Sequence, residues 1–252
     1  MGDNLIAWMG GKARQANKII SYFPENYEDM TYVEVFGGGG WVLYKKKPSK
    51  IEVYNDINGD LVNLFKVIRD NKEELQEWFD YLLYSRQIRK EFFEKYRAGK
   101  WKDDVERAGM FLYLILSGFA HKPYNPGFAY GKTGKNNAKT FWNFVDKRID
   151  EIHARLKNVT IENLEFEDCI KRYDSKHTLF YLDPPYIGNS WKGGNKEYYG
   201  GDGWDNEEEH RRLAGVLKNI RGKFALSYFD HELIRELYPE EEGSDGCALR
   251  EQ

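Results

Sequence analysis

With 252 residues, 41% of them apolar, 31% charged and 16% aromatic, the chain suits one large domain or a domain with an insertion, and its composition excludes extensive disorder. No run nears the roughly 18 consecutive apolar residues of a membrane helix, Met1-Gly2-Asp3-Asn4 lacks a secretion signal's pattern, and two distant cysteines and five scattered histidines give no metal-ligand spacing. The expectation is a cytoplasmic protein without metal and with no membrane partner. The net charge of −3 argues at first against a nucleic-acid partner, but it averages two opposite parts: Arg86 through Lys157 carries 16 basic and 8 acidic residues, and the other 180 residues carry −11. Such segregation fits a segment facing a polyanion, and equally fits solvated helix faces.

In chain order, Trp8-Met9-Gly10-Gly11-Lys12 leads into a predicted helix over 13–22, whose apolar residues Ala16, Ile19, Ile20 and Phe23 recur at helical spacing until Pro24 stops it. Tyr32 to Phe36 reads as a strand running into Gly37-Gly38-Gly39-Gly40, and Trp41 to Tyr44 as the start of a helix. Ile51 to Tyr54 gives a second strand, ending at Asn55-Asp56, and Leu61, Leu64, Phe65, Val67 and Ile68 mark the next helix. Strand, glycine turn, helix and strand open a βαβ unit. From about Asn71 only amphipathic helical stretches follow, interrupted by a Gly-, Pro-, Asn- and Lys-rich loop over 121–139 and closed by a predicted helix over 141–156. Strands resume at Val159-Thr160-Ile161, Thr178 to Leu182 and Phe224 to Ser227. The architecture expected is an open α/β sheet made of residues 1–71 and 159–252, with a mainly helical insertion, 72–158, that carries the basic excess.

Two motifs carry chemistry. A glycine run after a strand lets backbone turn tightly against a ligand, and an acid about 20 residues later can hold ribose hydroxyls; Asp56 stands in that place after Gly37. Four glycines also suit a flexible loop, but the acid at the second strand end favours a nucleoside site. No phosphate-binding GxxxxGK[ST] sequence occurs. The more specific motif is Asp183-Pro184-Pro185-Tyr186, directly after an apolar strand. Such a turn presents carboxylate and carbonyl acceptors to an amino group, with an aromatic ring to stack on a planar base. An arylamine is a weak nucleophile, so acceptors that stabilise positive charge developing on its nitrogen lower the barrier to its methylation. A structural Asp-Pro turn is the plainer alternative.

Four motifs, Trp8-Met9-Gly10-Gly11-Lys12, Phe36-Gly37-Gly38-Gly39-Gly40, Asn55-Asp56-Ile57-Asn58 and Asp183-Pro184-Pro185-Tyr186, stand in the order found in the Dam-type, or D12 class, adenine-specific DNA methyltransferases, which the chain resembles over roughly residues 5–230. The resemblance implies a Rossmann-like methyltransferase sheet, S-adenosylmethionine as methyl donor, and transfer to the amino group of adenine in a short site of double-stranded DNA after base flipping. It assigns Trp8, Lys12, Phe36, Gly37, Gly39, Asp56, Asp168 and Asp183 to the donor, and Asp183, Pro184, Pro185 and Tyr186 to catalysis. Asp168 is alternatively a helix N-cap. It also places target recognition in the insertion, where Lys122, Tyr124, Lys132, Lys135, Asn136, Asn137 and Lys139 combine phosphate-seeking cations with base-reading amides. A monomeric, bacterial or phage-encoded enzyme is expected, of the kind found in restriction-modification. Methylation of cytosine or an RNA base, and a catalytically silent DNA-binding relative, are the competing readings.

The C-terminus departs from the pattern. After Glu240 only Cys247, Ala248 and Leu249 are apolar, so the final antiparallel strands customary in this class are expected to be missing, leaving an early sheet edge and a shortened variant of compromised activity.

Overall fold

The computed structural model describes residues 5–8, 10–131, 134, 136–187, 204 and 206–239, and the backbone of 246–251. In chain order the elements are α1 (Ala16–Ile20), β1 (Thr31–Glu34), α2 (Trp41–Lys45), β2 (Ile51–Asn55), α3 (Gly59–Asp70), α4 (Lys72–Asp80), α5 (Arg86–Arg97), α6 (Asp104–Ser117), α7 (Asn137–Asn143), α8 (Ile149–Leu156), β3 (Val159–Glu162), α9 (Phe166–Tyr173), β4 (Thr178–Leu182), α10 (Glu207–Leu217), β5 (Lys223–Phe229), α11 (Glu232–Leu237) and β6 (Gly246–Glu251). They fall into two compact units, one built on residues 12–58 and 159–252, the other on 5–11 and 59–158.

The first unit is the Rossmann-like sheet. Its strands run parallel in the order β3-β2-β1-β4-β5-β6. Parallel strands covered on both faces read as apolar runs, and β4, Thr-Leu-Phe-Tyr-Leu, is buried at every position. Val33, Val53, Phe180 and Leu226 form the core with Phe166, Ile170, Leu213 and Leu217 from α9 and α10. Strand order reverses beside β1: the chain moves outward through β2 and β3 on one side, and β4 and β5 lie on the other. Ligands of open α/β sheets bind at the carboxyl ends of strands at such a reversal. Here those ends carry the glycine turn and Asp183.

One expectation is corrected. The sheet does not end at β5, because Gly246–Glu251 forms a sixth strand parallel to it, in register from Phe224 opposite Gly246 to Phe229 opposite Glu251. Strand addition is driven by backbone N–H and C=O groups that every residue carries, so the scarcity of apolar side chains after Glu240 is no bar to pairing on an open edge. Among the described residues, what forms there is one parallel strand in place of the customary antiparallel addition.

The second unit is helical and takes in α3 as well as the residues after 71. Helix α6 is its axis: Ala108 and Met110 through Ile115 are fully buried, with apolar residues all round as a central helix requires. Helices α3, α4, α5 and α7 pack on α6. Asp103 caps α6 by accepting from the Glu106 N–H at 2.8 Å. The stretch predicted as one helix over 141–156 is α7, a π-helical turn over Phe144–Arg148, and α8.

Candidate active site

The glycine turn is shaped by close approach. A Cβ on Gly37 would lie 2.1 Å from Cε2 of Tyr54, a fully buried ring on β2. Gly38 and Gly40 take φ of 47° and 62°, the left-handed region that side chains disfavour. The Tyr54 hydroxyl donates to the Gly38 carbonyl at 2.8 Å, and Gly37 N–H donates to the Asn55 carbonyl at 2.8 Å. Asp56 closes the arrangement: Oδ2 accepts from Gly38 N–H and Oδ1 from Asn58 N–H, both at 2.7 Å. Burial pushes its carboxyl up to about 6, against the pull of those two donors. Asn55 and Asn163 tie the neighbouring strand ends together. The Asn55 amide donates to the Val35 and Leu164 carbonyls at 2.9 and 3.0 Å, and the Asn163 amide to the Asp56 carbonyl at 2.7 Å.

At the end of β4, Asp183 gathers three donors on one oxygen. Oδ1 lies 3.0 Å from the Lys12 ammonium, 3.1 Å from the Tyr186 hydroxyl and 2.9 Å from the Ser227 hydroxyl on β5. Lys12 also donates to the Tyr186 hydroxyl at 2.5 Å and sits 4.6 Å from that ring's centroid. The Asp183 side chain is 19% exposed and that of Lys12 9%. Burial raises the Asp183 carboxyl above the usual carboxylate range, and the Lys12 charge with the three hydrogen bonds opposes it. Behind the turn, the Tyr186 ring packs 4.5 Å from Tyr228 and 5.4 Å from Phe229, and the Tyr228 hydroxyl accepts from the Ile187 N–H. The tetrapeptide is therefore clamped from β5 by Ser227 and Tyr228.

Between these two strand ends Phe36 begins an aromatic cluster, 5.9 Å from Phe166 and 5.3 Å edge-on to Trp204. Asp168 stands exposed in the first turn of α9. It is not the N-cap of that helix, because the Glu165 side chain accepts from the Glu167 N–H.

The structure thus brings Lys12, Asp183 and Tyr186 into one hydrogen-bonded group, and Gly37 and Gly38 into another with Asp56. Trp8 belongs to the helical unit, where its ring lies 5.9 Å from Phe111. Ser227, Tyr228, Asn163 and Trp204 carried no role in the sequence reading. Ser227 alone left a signal, as a hydroxyl at the end of an apolar strand.

In the helical unit Arg89, only 1% exposed, crosses from α5 to hold the loop after α6. It donates to the Ser117 hydroxyl at 2.9 Å and to the carbonyls of Leu114, Lys122 and Asn125. Burial brings its guanidinium down to about 10. Ala120 and His121 take φ of 54° and 55°, an uncommon conformation for residues with a side chain, and Phe119 beside them is 72% exposed. The Tyr124 hydroxyl donates to Asp60 at 3.1 Å. Asn136 caps α7 by accepting from the Lys139 N–H at 2.9 Å, Asn137 is the first residue of that helix, and Lys139 is exposed. Lys132 and Lys135 lie outside the described residues.

Comparison with known proteins bears on both units. The family described as D12 class N6 adenine-specific DNA methyltransferase matches residues 8–249. The chain is 29% identical over 202 residues to the type II methyltransferase M.MjaIII of Methanocaldococcus jannaschii, covering 72% of this chain and 68% of that one. It is 28% identical to the type II methyltransferase M1.LlaDCHI of Lactococcus lactis subsp. cremoris, over 92% of this chain and 82% of that one. Against the DNA adenine methylase of Haemophilus influenzae identity is 24%, with the same coverage of both chains.

Proposed function

The chain belongs to the D12 class N6 adenine-specific DNA methyltransferases, and from that premise we propose that it transfers a methyl group from S-adenosylmethionine to the exocyclic amine of an adenine flipped out of a specific short sequence in double-stranded DNA. The observation that carries this reading is the Asp183 turn. Its carboxylate is largely buried at the sheet's reversal point and held by Lys12, Tyr186 and Ser227.

The residues present fit the donor. A Cβ at Gly37 is excluded by the Tyr54 ring, which leaves bare backbone at the end of β1. Asp56 offers carboxylate lone pairs to ribose hydroxyls, and Phe36 with Phe166 offers apolar ring faces to a base. When bound, S-adenosylmethionine supplies an electrophilic methyl group. Gly37, Gly39 and Asp56 would hold its nucleoside end; Lys12 holds the Asp183 carboxylate in place, and Trp8 and Asp168 enter by family resemblance alone.

The rest of the mechanism belongs to the chain's own groups. Asp183 and the Pro184 carbonyl accept from the adenine amine and orient its nitrogen for in-line attack. As the carbon–nitrogen bond forms at the expense of the donor's methyl–sulfur bond, positive charge grows on that nitrogen, and the fixed acceptors stabilise it until a proton leaves to solvent. Tyr186 and the rigid Pro184-Pro185 segment position the flipped base. Lys122, Tyr124, Lys132, Lys135, Asn136, Asn137 and Lys139 meet the duplex, the cations at phosphates and the amides at base edges. The enzyme acts as a monomer in a bacterial cytoplasm, encoded by the cell or by a phage. Among the described residues no helix is long and apolar enough to cross a membrane.

Incubation with methyl-labelled donor and mixed-sequence duplex, followed by mapping of the product, tests the proposal. Label on the adenine amino group in one recurring context is expected. Label on cytosine, or adenine labelled without regard to context, would contradict it.

A further inference from the structure

The hydroxyl of Ser227 is buried within β5, with Oγ 2.9 Å from Asp183 Oδ1, 3.1 Å from the Tyr181 hydroxyl and 3.5 Å from the Leu182 carbonyl. It has one proton and three acceptors within reach. The carboxylate is the strongest acceptor and the nearest, because a hydrogen bond to an ionised oxygen is about twice as strong as one between neutral groups. Given that assignment, the Tyr181 hydroxyl, itself buried on β4, donates to Ser227. A directed chain results, from Tyr181 through Ser227 to Oδ1.

Lys12 and Tyr186 reach the same oxygen from the other elements around it. Three donors therefore converge on Oδ1, and among the described residues Oδ2 receives none. A carboxylate whose one oxygen is fixed this way cannot rotate to exchange its two oxygens without breaking all three bonds. We infer that Ser227 is a positioning residue for methyl transfer, which fixes Asp183 through Oδ1 so that Oδ2 is the oxygen offered to the substrate amine. The inference rests on the proposed role of Asp183 and deepens it. A hydroxyl suits the task where a second cation would not: it adds a directed hydrogen bond without another charge, so Lys12 remains the cation paired with the acid.

Ser227→Ala removes the donor and leaves Lys12 and Tyr186 in place. Loss of a hydrogen bond to a charged group, about 1.5–3 kcal/mol, corresponds to a fall in kcat of about 10- to 160-fold, with Kd for S-adenosylmethionine and for duplex DNA unchanged. The fall should depend on pH. Ser227 is one of the groups holding the Asp183 carboxyl down, together with Lys12 and Tyr186, whereas Glu34 on β1 and Tyr181 on β4 are the other titratable groups that face it. Without Ser227 the acid limb of the kcat profile moves to higher pH. A purely structural defect would lower kcat by one factor at every pH.

Ser227→Thr restores the hydroxyl and should recover most of the rate. Tyr181→Phe, which keeps Ser227 but removes the donor behind it, should shift the acid limb in the same direction by less, and it keeps the test open if the threonine is too bulky to fold. Full kcat in Ser227→Ala, or a loss of kcat with an unmoved acid limb, overturns the inference. If Asp183→Ala also retains full kcat, the role of Asp183 itself has failed; if Asp183→Ala is inactive while Ser227→Ala is normal, only the role of Ser227 has.

Discussion

Replacing Gly37 by alanine places a methyl group 2.1 Å from Cε2 and 2.6 Å from Cδ2 and Cζ of Tyr54. Carbon atoms rest at about 3.5–4.0 Å, so ring and turn must separate by about 1.5 Å. The ring cannot retreat freely, being fully buried and tethered through its hydroxyl to the Gly38 carbonyl at 2.8 Å. Overpacking of this kind costs about 1–3 kcal/mol, and loss of the tether adds about 1 kcal/mol. The expected destabilisation is about 2–4 kcal/mol, read as a lowered urea midpoint at constant slope. Since φ at Gly37 is not positive, the cost lies in the clash and not in backbone strain. In a Tyr54→Ala background the same change should therefore be nearly neutral, which a double-mutant cycle measures directly. Displacement of the turn should also weaken S-adenosylmethionine binding at least tenfold, or about 1.4 kcal/mol. A cost below about 0.5 kcal/mol, or an equal cost with and without the Tyr54 ring, would refute the reasoning.

Three further outcomes are expected. Glu34 accepts from the Tyr32 hydroxyl and the Leu43 N–H at 2.8 Å each, and burial pushes its carboxyl up to about 8 from 4.5. A raised folded value means that the folded state binds the extra proton between those limits, so this contribution is complete below pH 4.5 and is lost as pH rises through about 8; relative to the wild type, Glu34→Gln should flatten that decline in urea unfolding, and parallel curves would dismiss it. Arg89→Met strips the donors from Ser117 and three carbonyls, should cost about 3 kcal/mol, and should weaken DNA binding through the loop it holds, whereas a cost under about 1 kcal/mol would deny the clamp. Removing Lys132, Lys135 and Lys139 together should reduce the slope of log Kd against log salt by about 3, and an unchanged slope would remove these lysines from the interface.

Much of this was legible because the chemistry sits in local motifs. The glycine run, Asp56 and the Asp183 turn each occupy a strand end, and period and punctuation locate strand ends well. The clamp on Asp183 was not legible, since Lys12 lies 171 residues before it and Ser227 lies 44 after, and only the tertiary fold brings them together, Ser227 through the pairing of β5 with β4. The position of Asp56 at the end of the second strand was legible from its spacing, whereas its two hydrogen bonds to Gly38 and Asn58, which brace the turn, were not. Residues 141–156 keep an unbroken helical pattern although the backbone passes through a π-helical turn, because apolar spacing reports the face of a helix and not its winding. The sixth strand escaped for the opposite reason. An edge strand is held by backbone groups, and composition is blind to them.

The central claim is that the Asp183 carboxylate, held at the carboxyl end of β4, is the acceptor on which transfer to adenine depends. Methylation of duplex DNA by Asp183→Ala, measured beside the wild type with S-adenosylmethionine and DNA affinities determined on the same samples, tests it most directly. Loss of transfer by several orders of magnitude, with the protein folded and DNA still bound, is the predicted result; methylation at the wild-type rate would contradict the account.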